Sequence, residues 1–314
     1  MREQKEQLLN TRAGAAAAAI FANLLWGSAS PCIKLGYRLF QIPTEAVMSQ
    51  ILFAGLRFTF AGMMTILFAS MMRRRILVPE KGNMKMVIAL AFTQTIIQYT
   101  FFYLGLSKAP GFKGSVISPS STFFAIFLSA FLLHQEKLTL RKCLGCAVGF
   151  AGVVVINLNK QGGGDFHWDG EGFLLLSALS SAFSTVLIKQ FSKREDPVTL
   201  SGYQFVVGGC VMTLTGFLCG GRLAPVTASA WLLLGYLVFL SAAAYTIWSL
   251  LLQRYPVSAI TVFGFANPVF GVLLSALILG EGELLNWLHC IAALALVSAG
   301  IWIVNGRSRT GEKS

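Results

Sequence analysis

Long apolar stretches alternate with short polar ones along the whole chain, and the length of those stretches decides what they are. A helix needs roughly 20 mostly apolar residues to cross a bilayer. Stretches of that kind run over 13–35, 48–72, 84–106, 112–133, 141–158, 170–190, 198–219, 230–252, 257–280 and 284–305. They predict an all-α integral membrane protein of ten transmembrane helices, with no connector long enough for a soluble domain. The first stretch follows a polar start of twelve residues and leads straight into the next. It reads as a span, not as a cleaved signal peptide.

Composition agrees with that reading. Charged residues make up 12 % of the chain and hydrophobic ones 55 %, whereas a soluble domain carries about 25 % charged residues. The net charge of +12 is not a nucleic-acid signature, because the basic residues form short runs between spans and no stripe. With the N-terminus placed in the cytoplasm, 18 of the 25 Lys and Arg residues fall on the cytoplasmic side, six fall outside, and Arg57 lies within a span. This bias predicts a multi-pass protein of the inner or plasma membrane with both termini cytoplasmic. Its expected partners are anionic lipid at the inner face and a small-molecule substrate. No nucleic acid is expected, and the expected assembly is a monomer or a weak homodimer.

The two halves repeat one another. Tyr99-Thr100 before Lys108 and Pro110 matches Tyr245-Thr246 before Arg254 and Pro256, at an offset of 146. Gly55-Leu56-Arg57-Phe58 matches Gly202-Tyr203-Gln204-Phe205 at 147, and Ala151-Gly152 matches Ala299-Gly300 at 148. Ser129-Ala130-Phe131-Leu132-Leu133 before Glu136 likewise matches Ser275-Ala276-Leu277-Ile278-Leu279 before Glu281. The unit is five helices, and an odd number inverts the second copy. The expected organisation is therefore a cytoplasmic tail at 1–12, a first five-helix repeat at 13–158, an outer linker at 159–169, a second repeat at 170–305 and a cytoplasmic tail at 306–314. Inverted repeats with a site between them are the mark of secondary transporters.

Four motifs carry a resemblance to a family: Leu25-Trp26-Gly27-Ser28, Leu56-Arg57-Phe58, Asn267-Pro268-Val269-Phe270 and Leu279-Gly280-Glu281. Together they resemble the drug/metabolite transporter superfamily, in its EamA-type ten-helix branch, over residues 13–305. The resemblance implies two inverted five-helix halves around a central cavity that opens alternately to each side. It also implies export of small polar or aromatic metabolites, amino acids among them, with some members importing. The first copy departs from the pattern, since His134-Gln135-Glu136 replaces Leu-Gly-Glu.

Intramembrane polar residues are costly against lipid, so each is a candidate site. Arg57 is the only cation well inside a span and suits a carboxylate or phosphate; backbone bonding or snorkelling is its structural alternative. Gln94 and Gln98 share a helix face, with Tyr99 adjacent. Tyr245 and Trp248 share another and offer an apolar wall with polar handles. The repeat-matched pair Tyr99 and Tyr245 leads the cavity-lining candidates. Asn23, Trp26 and Ser30 form a stripe in span 1, and Asn267 precedes a proline in span 9. The stripe Ser177, Ser181, Ser184 and Thr185 reads as helix packing, as do Gly145, Gly149 and Gly152. Pro31, Pro119 and Pro268 are expected to interrupt their helices, as hinges or static kinks. Cys143 and Cys146 read as packing residues, because the six cysteines form no second CxxC. Gly162-Gly163-Gly164 reads as a loop hinge. No metal and no cofactor are expected.

All thirteen carboxylates map to tails, loops or helix ends, whereas proton-driven carriers relay through buried acids or histidines. That argues for facilitated diffusion or exchange. No GxxxxGK[ST] loop is present, so ATP is not the expected energy source. The competing readings are a proton-coupled exporter of cationic drugs, an importer of a small metabolite and a channel. An intramembrane enzyme lacks its motif.

Overall fold

A computed structural model describes residues 11–43, 45–108, 117–132, 134, 136–157, 167–224, 227–279 and 287–305. Pro110, the Gly162–Gly164 hinge, Glu281 and nearly all of both tails lie outside the described residues. Helix α1 is Arg12–Leu39 and α2 is Val47–Arg73. Three contiguous segments make α3: Met84–Leu90, a π-helical Ala91–Ile97 and Gln98–Lys108. Ser120–Phe127 and a π-helical Leu128–Leu132 make α4, and α5 is Leu140–Asn157. A π-helical Trp168–Gly172 leads into Phe173–Phe191 as α6, followed by α7, Pro197–Leu218, and α8, Ala228–Arg254. Val257–Thr261, a 3₁₀ turn at Val262–Phe265 and Ala266–Leu279 make α9, and α10 is Trp287–Asn305. Eight of these are long and apolar enough to cross a membrane; α4 and α5 are not among them.

Glycines set how closely the helices approach. A Cβ built on Gly62 would lie 2.5 Å from Gly202 O and 2.6 Å from Val206 N, so α2 and α7 touch backbone to backbone. The contact recurs with roles exchanged. Gly209, 147 residues beyond Gly62, meets Thr59, which is 147 before Val206. Gly55 meets Thr213, and its counterpart Gly202 meets Ile66. The partner number falls along α7 as it rises along α2, so these matched helices run antiparallel. Helices α5 and α10 repeat the scheme: Gly145 packs on Gly300, and Gly152 packs on Ala293. Matched helices that pack antiparallel are related by an axis perpendicular to them. The small-residue face of α5 therefore packs within the chain.

One prediction follows from this packing. Gly62→Leu forces atoms into the α7 backbone and lowers the thermal unfolding midpoint, by overpacking worth about 1–3 kcal/mol or more. Gly235→Ala, where nothing lies within 4 Å, leaves it unchanged or raises it, since alanine is the better helix former. Thermal unfolding in detergent separates the two outcomes.

Two prolines behave otherwise than as interruptions. Pro119 caps the start of α4, and Pro268 sits in the first turn of Ala266–Leu279. The N–H a proline lacks is unsatisfied in a first turn anyway, so both open helical segments. Pro31 lies inside the continuous α1.

Candidate functional site

The matched tyrosines meet each other. Tyr99 Oη and Tyr245 Oη lie 2.6 Å apart in a hydrogen bond between α3 and α8. Beside them the matched pair Phe58 and Phe205 stacks, with centroids 5.1 Å apart and planes 24° apart. Two residues related by a two-fold axis touch only near that axis, so both pairs mark where it runs. A site placed there is shared by the two halves.

Aromatic rings enclose this point. Trp26 stands edge-on to Tyr245 at 5.1 Å and to Trp248 at 5.0 Å. Phe58 lies 4.4 Å from Tyr99, and Phe205 lies 4.8 Å from Tyr245. Residues 241, 245 and 248 fall at helical spacing, which puts Ser241, Tyr245 and Trp248 on one stripe of α8. The indole Nε1 of Trp26 is buried and has no hydrogen-bond partner.

A charge sits against this cluster. Arg57 is 3 % exposed and donates from Nε to Ser241 Oγ at 2.8 Å. Ser241 in turn donates to Leu237 O. The guanidinium also lies 5.2 Å from the Phe58 ring centroid. It stands within electrostatic reach of the Tyr37, Tyr99, Tyr103 and Tyr245 hydroxyls. Among the described residues no carboxylate pairs with it, and its terminal nitrogens meet no acceptor.

The repeat supplies an internal control. Gln204 stands 147 residues after Arg57, and Thr95 stands 146 before Ser241. These two also bond, Thr95 Oγ1 donating to Gln204 Oε1 at 2.7 Å. Gln204 then completes its needs by donating Nε2 to Gln94 Oε1 at 3.0 Å. The position matched to Gln94 is Leu240, which has no polar group to offer. The same geometry is thus a closed neutral network in one half and an incompletely paired cation in the other.

Tyr99, Tyr245, Trp248, Trp26 and Arg57 therefore come together in one cluster. Gln94 does not join it; it is spent on Gln204. Asn23 is fully buried and donates Nδ2 to Ala19 O, one turn back on its own helix. The Asn267 side chain makes no hydrogen bond among the described residues. The Gln98 carbonyl accepts from Ser177 Oγ at 2.8 Å, while its own Oε1 is buried and unpartnered. Ser177, together with Ser180, whose Oγ donates to Thr93 O at 2.6 Å, compensates α3, whose π-helical turns leave carbonyls short of partners; Ser184 and Thr185 instead bond back to carbonyls of their own helix. Ser241, Phe58, Phe205, Tyr37 and Tyr103 were missed as site residues. The repeat offset of 147 marks Phe58 and Phe205, and helical spacing from Tyr245 marks Ser241.

A second tie between the halves lies at the edge of the bundle. Glu136, after α4, accepts from Lys142 Nζ at 2.7 Å, from Ser258 N at 3.1 Å and from Ser258 Oγ, at the start of α9. Burial alone would push its carboxyl up. The bonds from Lys142 and Ser258 outweigh that and hold it below the ordinary value of 4.5. A carboxylate depressed in the folded state stabilises it above the unfolded pKa and loses that contribution as pH falls through the folded one. Acidification from pH 7 towards pH 4 is therefore expected to lower the thermal midpoint of the wild type more than that of Glu136→Gln. A pH series of melting curves checks this.

Comparison with known proteins places this arrangement. The model of the EamA-like transporter family matches twice, over residues 13–158 and 168–306. The chain belongs to the EamA-like transporter family. It is a multi-pass membrane protein of the drug/metabolite transporter type. An uncharacterized transporter of Synechocystis sp. is 28 % identical, with 98 % of this chain and 94 % of that one covered. A protein of Salmonella typhimurium named a probable amino-acid metabolite efflux pump is 26 % identical, covering 91 % and 92 %. A solved crystal structure shares the fold, with a TM-score of 0.74 at 21 % identity over 94 % of this chain and 99 % of that one.

Proposed function

We propose that this protein is a ten-helix carrier of the cell membrane, with both termini cytoplasmic. It exports small amphipathic metabolites bearing a carboxylate, amino acids or similar compounds, by alternating access. Antiparallel packing of matched helices supports two inverted halves rocking about a site on their common axis. The amino-acid efflux names carried by relatives at 25 % and 26 % identity support the substrate class.

One observation carries the reading: Arg57 is buried and unpaired where its counterpart Gln204 is satisfied. An uncompensated buried charge costs several kcal/mol, and an anionic group on the guanidinium fork offsets that cost while gaining two parallel hydrogen bonds. A cationic drug at the same point would meet like charge. Transport is facilitative or by exchange, because among the described residues no acid or histidine stands in the site to relay protons.

The test is a thermal-shift screen of detergent-purified protein against paired carboxylic acids and their methyl esters. Acids with an apolar body raise the wild-type midpoint, esters do not, and Arg57→Gln removes the difference. Equal shifts from acids and esters contradict the reading. Tyr99→Phe and Tyr245→Phe each break the 2.6 Å hydroxyl pair and are expected to change the half-saturating concentration in the same screen about three- to tenfold, the worth of one hydrogen bond.

A further inference from the structure

We infer that the substrate is a zwitterion, an α-amino acid with an apolar side chain, and that the amide oxygen of Gln98 receives its ammonium group. This rests on the proposed carboxylate site at Arg57 and adds the group that holds the substrate's second charge. Two unspent groups of opposite character flank the tyrosine pair. Arg57 has donors to spare, and Gln98 Oε1 is an acceptor, buried and without a donor among the described residues. The amides beside it are spent: Gln94 Oε1 accepts from Gln204, and Gln204 Oε1 accepts from Thr95. The repeat shows that the fold does not require an amide at this place. The residue matched to Gln98, 146 positions on, is the fully buried Ala244.

Helix α3 puts Gln98 at the site. Phe102 lies one turn beyond it on the same face and packs against the cluster that holds Phe58, Phe205, Tyr103 and Tyr245. Gln94, one turn before it, reaches Gln204, the neighbour of Phe205. Gln98 lies between these two contacts, next in sequence to Tyr99, whose hydroxyl pairs with that of Tyr245. Arg57 comes to the same pair from α2, bonding Ser241 one turn before Tyr245 on α8.

An α-amino acid answers both groups. With its carboxylate on the guanidinium, its ammonium lies a few bonds away and, once desolvated, needs acceptors. Gln98 Oε1 supplies one, and the tyrosine hydroxyls supply others. The substrate's own carboxylate stands between the ammonium and Arg57, so the two positive charges do not meet uncompensated. The flat faces of Trp26, Trp248 and Phe58 suit an apolar side chain.

The other open amide oxygen, Asn23 Oδ1, serves as a control. Helix α1 runs antiparallel to α8, since Ser28 meets Tyr236 while Trp26 meets Trp248. Asn23, a turn before Trp26, therefore stands on the far side of Trp26 from Ser241 and Arg57.

The experiment uses purified full-length protein in liposomes and follows uptake of labelled phenylalanine. The competitors are unlabelled phenylalanine and phenylpyruvate, which has a keto oxygen in place of the amino group. With the wild type, phenylpyruvate is expected to compete about tenfold less well, the worth of a hydrogen bond to a charged group. Gln98→Met keeps the length and loses the acceptor. It is expected to weaken phenylalanine about tenfold and phenylpyruvate by less than about twofold, which closes the gap. Gln98→Glu keeps an acceptor and is expected to keep the preference for phenylalanine. Asn23→Ala is expected to shift both competitors together. Equal competition in the wild type, a wild-type preference retained by Gln98→Met, or a preference lost with Asn23→Ala instead overturns the inference and leaves the carboxylate site standing. Arg57→Gln without effect on either competitor overturns both.

Discussion

Arg57→Gln is expected to weaken binding of the transported carboxylate by about 100-fold or more while leaving the protein as stable as before, or more stable. Removing one partner of a buried charge pair costs about 2–5 kcal/mol, and each 1.4 kcal/mol is a factor of ten. The stability forecast follows from the unliganded state, in which the guanidinium's hydrogen bond runs from Nε to Ser241. A buried charge without a counter-charge strains the fold, so neutralising it relieves strain. Glutamine is the informative replacement, because it is neutral and is the residue that stands at the matched position, Gln204. An arginine that merely held helices together would give the opposite pair of results, a lower melting midpoint with affinity retained. Arg57→Lys keeps the charge and loses the planar fork, so it is expected to restore part of the affinity. Thermal unfolding and half-saturation for flux, measured on the same preparations, read both quantities.

The second large effect is expected at Trp248. Its ring is 7 % exposed and stands edge-on to Trp26, on the stripe that also carries Ser241 and Tyr245. Buried aromatic anchors cost about 2–4 kcal/mol when truncated. Trp248→Ala is therefore expected to raise the half-saturating concentration of phenylalanine by roughly 30-fold or more. For alanine, which has the carboxylate but no ring, the change is expected to stay within about threefold. Comparing two probes on one variant cancels the loss of folded protein that a large-to-small core change brings. Equal losses for both probes would show Trp248 to be a packing residue only.

Much of this was legible before any coordinates. Apolar length marked the helices, although α4 and α5 are not among those long and apolar enough to cross a membrane. The repeat offsets matched α2 with α7 and α5 with α10, and the glycine contacts then showed the matched helices packed on each other. Tyr99 and Tyr245 were recognisable because matched residues in inverted copies can meet at the axis. Gln94 was not assignable in the same way. Its helix spacing resembled that of a site residue, and only the packing of α7 against α3 revealed Gln204 as its partner. The prolines misled because a sequence does not say whether a proline opens a helical segment or lies within one. The π-helical turns of α3 carry no periodicity signal, yet they decide which carbonyls the α6 serines must satisfy. Arg57 was conspicuous from the start. What gave it a direction was its contrast with Gln204, which depends on Leu240 standing where the other half has Gln94.

The central claim is that one site on the axis between the halves is offered to each side of the membrane in turn, with Arg57 holding the substrate's carboxylate. Counterflow tests it most directly. Liposomes containing the purified protein are loaded with excess unlabelled phenylalanine and diluted into a trace of labelled compound at zero potential. The account predicts a transient overshoot of label inside the wild-type vesicles, saturable by external substrate and absent with Arg57→Gln. Label that rises monotonically to equilibrium, at a rate unaffected by what the vesicles contain, would contradict it.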